Sequence, residues 1–168
     1  MTLFAIDPGN EDSAWLAMHR LGGIEGFGKV PNRELKTRLA RFVAAAGDHL
    51  AIEMIASYGM PVGREVFDTC VWIGRFVEAW GKPFTLVYRR EVKMHLCGNN
   101  SAKDGNIRAA LIDRYGPGKR KAIGLQSCPG PLYGIAKDVW SALAIAVTWS
   151  DAKIDNGRAA DERTDAAQ

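Results

Sequence analysis

Several things are scarce in this chain, and each scarcity removes a class of function. Cysteine is limited to Cys70, Cys97 and Cys128, an odd set with no C-x-x-C spacing. That excludes a disulfide framework and a thiolate zinc site. Cys70 falls on an apolar helical stripe, where a free thiol is a small hydrophobe, and all three are read as reduced and non-catalytic. His19, His49 and His95 share no ligand spacing and are read as structural. No apolar run approaches the roughly 20 residues of a membrane-spanning helix; the longest, mainly apolar, is Ala142 to Trp149. Met1-Thr-Leu-Phe has neither the basic start nor the cleavage site of a secretory signal, so the expected compartment is the cytoplasm. Internal repeats are absent.

What is present suits one ordinary globular domain. With 168 residues the chain is long enough for a real core and short for two domains. We place the domain over residues 1–150 and expect 151–168 to form a disordered acidic tail, since Asp151, Asp155, Asp161, Glu162 and Asp165 outnumber its cations. The remainder is basic. Between Lys82 and Lys121 a long series of lysines and arginines is opposed only by Glu91, Asp104 and Asp113. Such a bias suits a phosphate backbone, although a solvated face has the same composition.

The hydrophobic pattern gives the order of elements. Residues 2–7 read as a buried strand, and Ser13 to Arg20 and Ile24 to Val30 as two more, making an antiparallel meander. A helix follows from Pro31 to Ala46, then a strand from His49 to Ile55. Gly63 to Trp80 is the clearest helix, with Val66, Cys70, Ile73, Val77 and Trp80 on one stripe. Trp72 and Phe76 lie off that stripe. Phe84 to Tyr88 reads as a fifth strand. A helix opens at a Ser101–Asp104 capping box and runs to Tyr115. The glycine- and proline-rich segment 116–134 reads as a loop, and a last helix covers Ile135 to Ser150. The expected fold is α/β: a mixed five-stranded sheet, three antiparallel strands then parallel ones, flanked by helices.

Three carboxylates stand out against this frame. Asp7 ends the run Leu3-Phe4-Ala5-Ile6 and precedes Pro8-Gly9-Asn10. Glu53 ends Leu50-Ala51-Ile52, and Asp138 sits near the start of the last helix. A charge at the end of a buried strand is costly, unless a divalent cation with oxygen ligands shares the site. Singly, Asp7 fits a turn residue, Glu53 an arginine partner and Asp138 a helix-dipole acid. Jointly they fit a site in which two Mg²⁺ or Mn²⁺ ions about 4 Å apart activate water for phosphodiester cleavage, with Asp7 bridging the metals.

Phe4-Ala-Ile-Asp7-Pro-Gly9, Ala51-Ile-Glu53 and Asp138-Val-Trp-Ser-Ala-Leu-Ala-Ile-Ala together resemble the RuvC-type Holliday junction resolvases, members of the ribonuclease H-like superfamily. The stretch Glu53 to Gly63 and the run Cys70-Val-Trp-Ile-Gly-Arg-Phe look more like the phage-encoded branch. The resemblance implies a homodimer that binds four-way DNA junctions and nicks them with Mg²⁺ or Mn²⁺, in a bacterial or phage-infected cell. It puts Asp7, Glu53 and Asp138 at the catalytic, metal-holding positions. Two departures are visible. Ser141 stands where the family has a second acid one turn after Asp138. Ala56 stands near the family's aromatic wedge, leaving Tyr58 and Met60 as the nearest candidates. Some of the 66–80 helix, with Trp72 and Phe76, would form the dimer surface.

Candidate DNA contacts are Lys103, whose place in a first helical turn opposes the dipole unless a phosphate compensates, the cluster Lys119-Arg120-Lys121, Lys137 beside Asp138, Tyr58, Arg89 and Arg90. Asp104 is assigned to the Ser101 capping box. Two alternatives stand beside the nuclease: a junction-binding protein that cuts weakly because Ser141 replaces an acid, and a ribonuclease H acting on RNA–DNA hybrids. An actin-like ATPase would need a longer chain and a second phosphate motif.

Overall fold

In the computed structural model, residues 1–19, 22–42, 47–57 and 59–165 are described, with side chains as far as Ile154. The meander forms as the alternation requires: β1 (Thr2–Asp7), β2 (Asp12–His19) and β3 (Ile24–Pro31) pair antiparallel in sequence. Helix α1 (Asn32–Arg41) returns the chain, and Phe42 ends it in an extended conformation. The predicted extension over 43–46 lies outside the described residues. Strand β4 (His49–Met54) then pairs parallel to β1, and after α2 (Arg64–Trp80), β5 (Phe84–Tyr88) pairs parallel to β4. The order β3-β2-β1-β4-β5, with helices on both faces, is the ribonuclease H-like arrangement.

Strand periodicity sorts the core into two layers. Phe4, Ile6, Trp15, Leu50, Ile52 and Leu86 face α1 and α2, where they meet Leu35, Leu39, Ile73, Phe76 and Trp80. Leu3, Ala5, Ala14, Leu16, Ala51 and Val87 face the other way, onto Leu143, Ala144 and Val147 of the last helix. That helix, α6 (Val139–Asp165), is laid across the centre of the sheet; Ala142, Ala144 and Ala146 are fully buried, and small residues let its backbone approach closely.

Phe76 is a correction. It lies fully buried between α2 and the sheet, and the buried line on α2 is Thr69, Ile73, Phe76 and Trp80, which shares Ile73 and Trp80 with the predicted stripe but has Thr69 and Phe76 in place of Cys70 and Val77. Trp72 is half-buried and covered by the Arg75 guanidinium. The exposed apolar face of α2 carries Phe67 and Val71 instead.

Three further differences concern the second half. A helix not expected from the sequence, α3 (Arg89–Cys97), follows β5 directly. Helix α4 (Asp104–Tyr115) is capped by Lys103, whose N–H donates to Asn106 Oδ1 at 2.9 Å, and Ser101 is not the cap. The segment 116–134 is ordered: α5 (Lys119–Ala122) is followed by two short paired strands, β6 (Gly124–Leu125) and β7 (Cys128–Pro129). Buried Ala122, Leu132 and Ile135 anchor it.

Helix α6 spans Val139–Asp165 and so continues past Ser150 into the segment predicted to be a tail. Asp151, assigned to that tail, belongs to the body. Its carboxylate accepts from Arg114 Nη1 at 2.8 Å and lies 2.7 Å from His95 Nε2. No helix among the described residues is long and apolar enough to cross a membrane.

Candidate functional site

Register brings the acids together. Ile6 pairs with Ile52, so Asp7 and Glu53 both come directly after that pair, on the face that α6 covers. The same row continues outward on both sides: Asp7 pairs with Ala14, Ala14 with Lys29, and Glu53 with Val87. Strand alternation thus aims Lys29, Asp7 and Glu53 in one direction. Asp138 arrives from above, one residue before α6, where its carbonyl accepts the N–H groups of Ser141 and Ala142. The residue before it, Lys137, holds a left-handed backbone (φ 49°). That conformation is costly for a side-chain-bearing residue and marks a strained turn at the helix entrance.

The turn after Asp7 is held by two buried polar residues that the motif did not reveal. Gly9 N–H donates to Ser13 Oγ at 3.2 Å, Ser13 Oγ–H donates to Asn32 Oδ1 at 2.6 Å, and Asn32 Nδ2 donates to the Gly9 carbonyl at 2.8 Å. Gly9 is required here, because a Cβ would stand 2.3 Å from the Asp12 carbonyl oxygen. Asp7, Pro8, Gly9, Asp12, Lys29 and Asp138 line a polar cleft of about 270 Å³ over this turn.

Asp7 and Glu53 are in direct contact and titrate together. Burial first, and then the Glu53 carboxylate, push Asp7 up from 3.8 to about 7, with Asp138 adding to the effect and Arg89 opposing it. Burial also raises Glu53, against the pull of Arg89. Two carboxyls sharing a proton form a site that a cation relieves.

Two internal cations already attend the cluster. Lys29 Nζ donates to Asp138 Oδ2 at 2.7 Å, with both side chains about half exposed. A pair so exposed is worth about 0–1 kcal/mol and gives way easily. Arg89, the first residue of α3, is held more firmly. Its Nη1 lies 3.7 Å from Glu53 Oε2 and donates to Ser141 Oγ at 3.4 Å, while Nη2 pairs with Asp104. Asp104 therefore serves Arg89, not the capping box. Sequence reasoning placed Arg89 among the DNA contacts and missed Lys29; Lys29 meets the acids through sheet register and Arg89 through the placement of α3.

Among the described residues, no three or more His, Cys, Asp or Glu side chains are grouped to hold a metal ion. The paired Asp7 and Glu53 carboxyls have the oxygen-donor chemistry that a hard cation takes, and Asp138, paired with Lys29, lines the same cleft as Asp7. Of the candidate DNA contacts, Lys103 is exposed beside Asp104, Lys137 adjoins Asp138, Arg90 is exposed on α3 and Lys119, Arg120 and Lys121 are exposed on α5. Tyr58 lies outside the described residues. The three cysteines are free thiols, Cys128 exposed and the others half-buried.

Fold and site together define a ribonuclease H-like domain with carboxylates at the adjoining ends of two central strands and at the entrance of the covering helix. Among solved structures, RuvC of Thermus thermophilus is similar to it with a TM-score of 0.66 and 18% identity, over 92% of this chain and 97% of that one. T. thermophilus RuvC in complex with a Holliday junction substrate gives 0.61 and 17%, over 92% and 96%. Likeness at this identity is a likeness of fold. No protein-family model matches the sequence, and no curated protein does.

Proposed function

We propose that the protein is a homodimer that binds four-way or otherwise branched DNA and cuts it weakly, its acid cluster being countered by its own Lys29 and Arg89. The observation that carries the weak-cutting part is the placement of those two cations against Asp138 and Glu53. Branched DNA is supported by the likeness, over 92% of this chain, to RuvC solved with a Holliday junction substrate, and by the exposed cations Lys137, next to Asp138 of the cleft, and Lys103, next to Asp104. A homodimer is supported by Phe67 and Val71, one helical turn apart and 61% and 53% exposed on the outer face of α2. The same reading takes the chain as a phage-type member of the RuvC-like group, on the stretches 53–63 and 70–76.

A second reading, a Mg²⁺- or Mn²⁺-dependent endonuclease using Asp7, Glu53 and Asp138, is favoured by one feature. Asp7 is pushed to about 7 against Glu53, an arrangement that a divalent cation would stabilise.

The test is a gel-shift comparison of four-way junction, linear duplex and RNA–DNA hybrid in EDTA, followed by nicking in Mn²⁺ beside Asp7→Asn. Preference for the junction with slow, Asp7-dependent nicking is expected. Equal binding of duplex and junction would sink the junction assignment. Fast Asp7-dependent nicking would transfer the conclusion to the endonuclease, and cleavage of the hybrid alone to a ribonuclease H.

A further inference from the structure

The geometry points to Arg89 as a resident cation that takes one metal position for itself, so that the site accepts one divalent ion and not two. This rests on the reading of the cleft as a phosphodiester-handling site and specifies its ion count.

Arg89 is fixed by partners on three different elements: Glu53 on β4, Ser141 on α6 and Asp104 at the start of α4. A guanidinium with oxygen partners on several sides is immobilised, and it stays charged at every pH at which the protein folds. It occupies the α3 side of the Asp7–Glu53 pair, between Glu53 and the first turn of α6. A second divalent ion would need an anionic ligand from α6 on that side. The residue presented there is Ser141, a neutral hydroxyl that already accepts from Arg89. The opposite side differs, because Asp138 is held only by half-exposed Lys29, which an incoming ion can displace. One ion, on the Asp7, Glu53 and Asp138 side, is what these charges accommodate. Arg89 then supplies, beside the single ion, the fixed positive charge that a second ion would bring.

Mn²⁺ binding to the DNA-free protein tests this, measured by calorimetry for stoichiometry and by electron paramagnetic resonance for spin-coupled ion pairs. Wild type is expected to bind one Mn²⁺ with an uncoupled spectrum, and Asp7→Asn to lose it. Ser141→Asp alone is expected to stay at one ion, since Arg89 pairs with the new acid. Arg89→Ala with Ser141→Asp is expected to bind two and give a coupled spectrum. Two ions in wild type, none in wild type, or two in Ser141→Asp alone would overturn the inference. So would a single ion in a natively melting double variant. The wild-type and Ser141→Asp results decide the matter even where the double variant fails to fold. Junction binding in EDTA, measured on the same proteins, reports separately on the DNA reading: absent junction preference with one Mn²⁺ per chain refutes that reading alone.

Discussion

Replacing Asp7 by Asn should make the metal-free protein more stable at neutral and alkaline pH. Asp7 ionises at about 7 in the folded chain against 3.8 as an ordinary carboxyl. Its raised value means that the folded state holds a proton that the unfolded state has released. Stability from this group is therefore complete below pH 3.8 and is lost as the pH rises through about 7. At about 1.4 kcal/mol per pH unit, the climb amounts to about 4 kcal/mol. Partial solvation and readjustment of Glu53 reduce this, and we expect about 2 kcal/mol at pH 8. Asn keeps the shape and can still donate to Glu53, so the gain should appear as a melting temperature raised by roughly 4–8 °C for a chain of this size. Circular dichroism melts in EDTA at pH 4, 6 and 8 check the slope as well as the sign, since the gain should fall to almost nothing at pH 4. An Asp7→Asn protein that melts at or below wild type at pH 8, or whose gain is independent of pH, refutes the strained-pair account. Added Mn²⁺ should raise the melting temperature of wild type and leave the variant unmoved.

Other consequences follow from packing and charge. Phe76→Ala should cost about 3–5 kcal/mol, read as a clear fall in melting temperature, whereas Phe67→Ser should stay within about 0.5 kcal/mol and shift sedimentation from dimer toward monomer. Gly130→Ala should dislodge α5, because its Cβ would meet the Lys121 and Ala122 carbonyl oxygens at 2.4 and 2.5 Å; the checks are a lowered melting temperature and weakened junction binding. Junction affinity should fall steeply with salt, and replacing Lys119, Arg120 and Lys121 by Ala should flatten the log–log slope by about 1 for each phosphate no longer neutralised; an unchanged slope removes α5 from the interface.

The strands were legible as short runs rich in apolar residues bounded by turn residues, and β5 is found at the bounds expected, Phe84–Tyr88. The neighbouring helix α3 was not, since Arg89–Cys97 is short and mostly polar, with only Val92 fully buried and Leu96 and Cys97 partly so. Segment 116–134 was hidden in a different way. Its glycines and prolines read as a loop, yet Gly124 and Gly130 are the close-approach points that let the backbone fold on itself. The acids could be found because each ends an apolar run or opens a helix, which are local features. Lys29 and Arg89 meet them only through strand register and helix placement, and neither is written locally. Asp151 shows the same limit, its acidic surroundings suggesting a tail while its partners Arg114 and His95 lie far back in the chain.

The sheet order also separates the acids from Lys29 in time. Asp7 and Glu53 stand on β1 and β4, two strands flanked on both sides, whose amides should exchange with solvent only when the whole domain opens. Lys29 rides on β3, an edge strand. Edges open locally, and far more often than centres. Lys29 should therefore come and go on the timescale of sub-global breathing while the carboxylates and the three-way-held Arg89 stay in place. Hydrogen exchange would show this directly, with β3 labelled long before β1 and β4. The centre of the molecule is the fixed part of its charge pattern and the β3 edge the moving part, so an arriving phosphate or ion would meet a stationary anion whose guard intermittently steps aside.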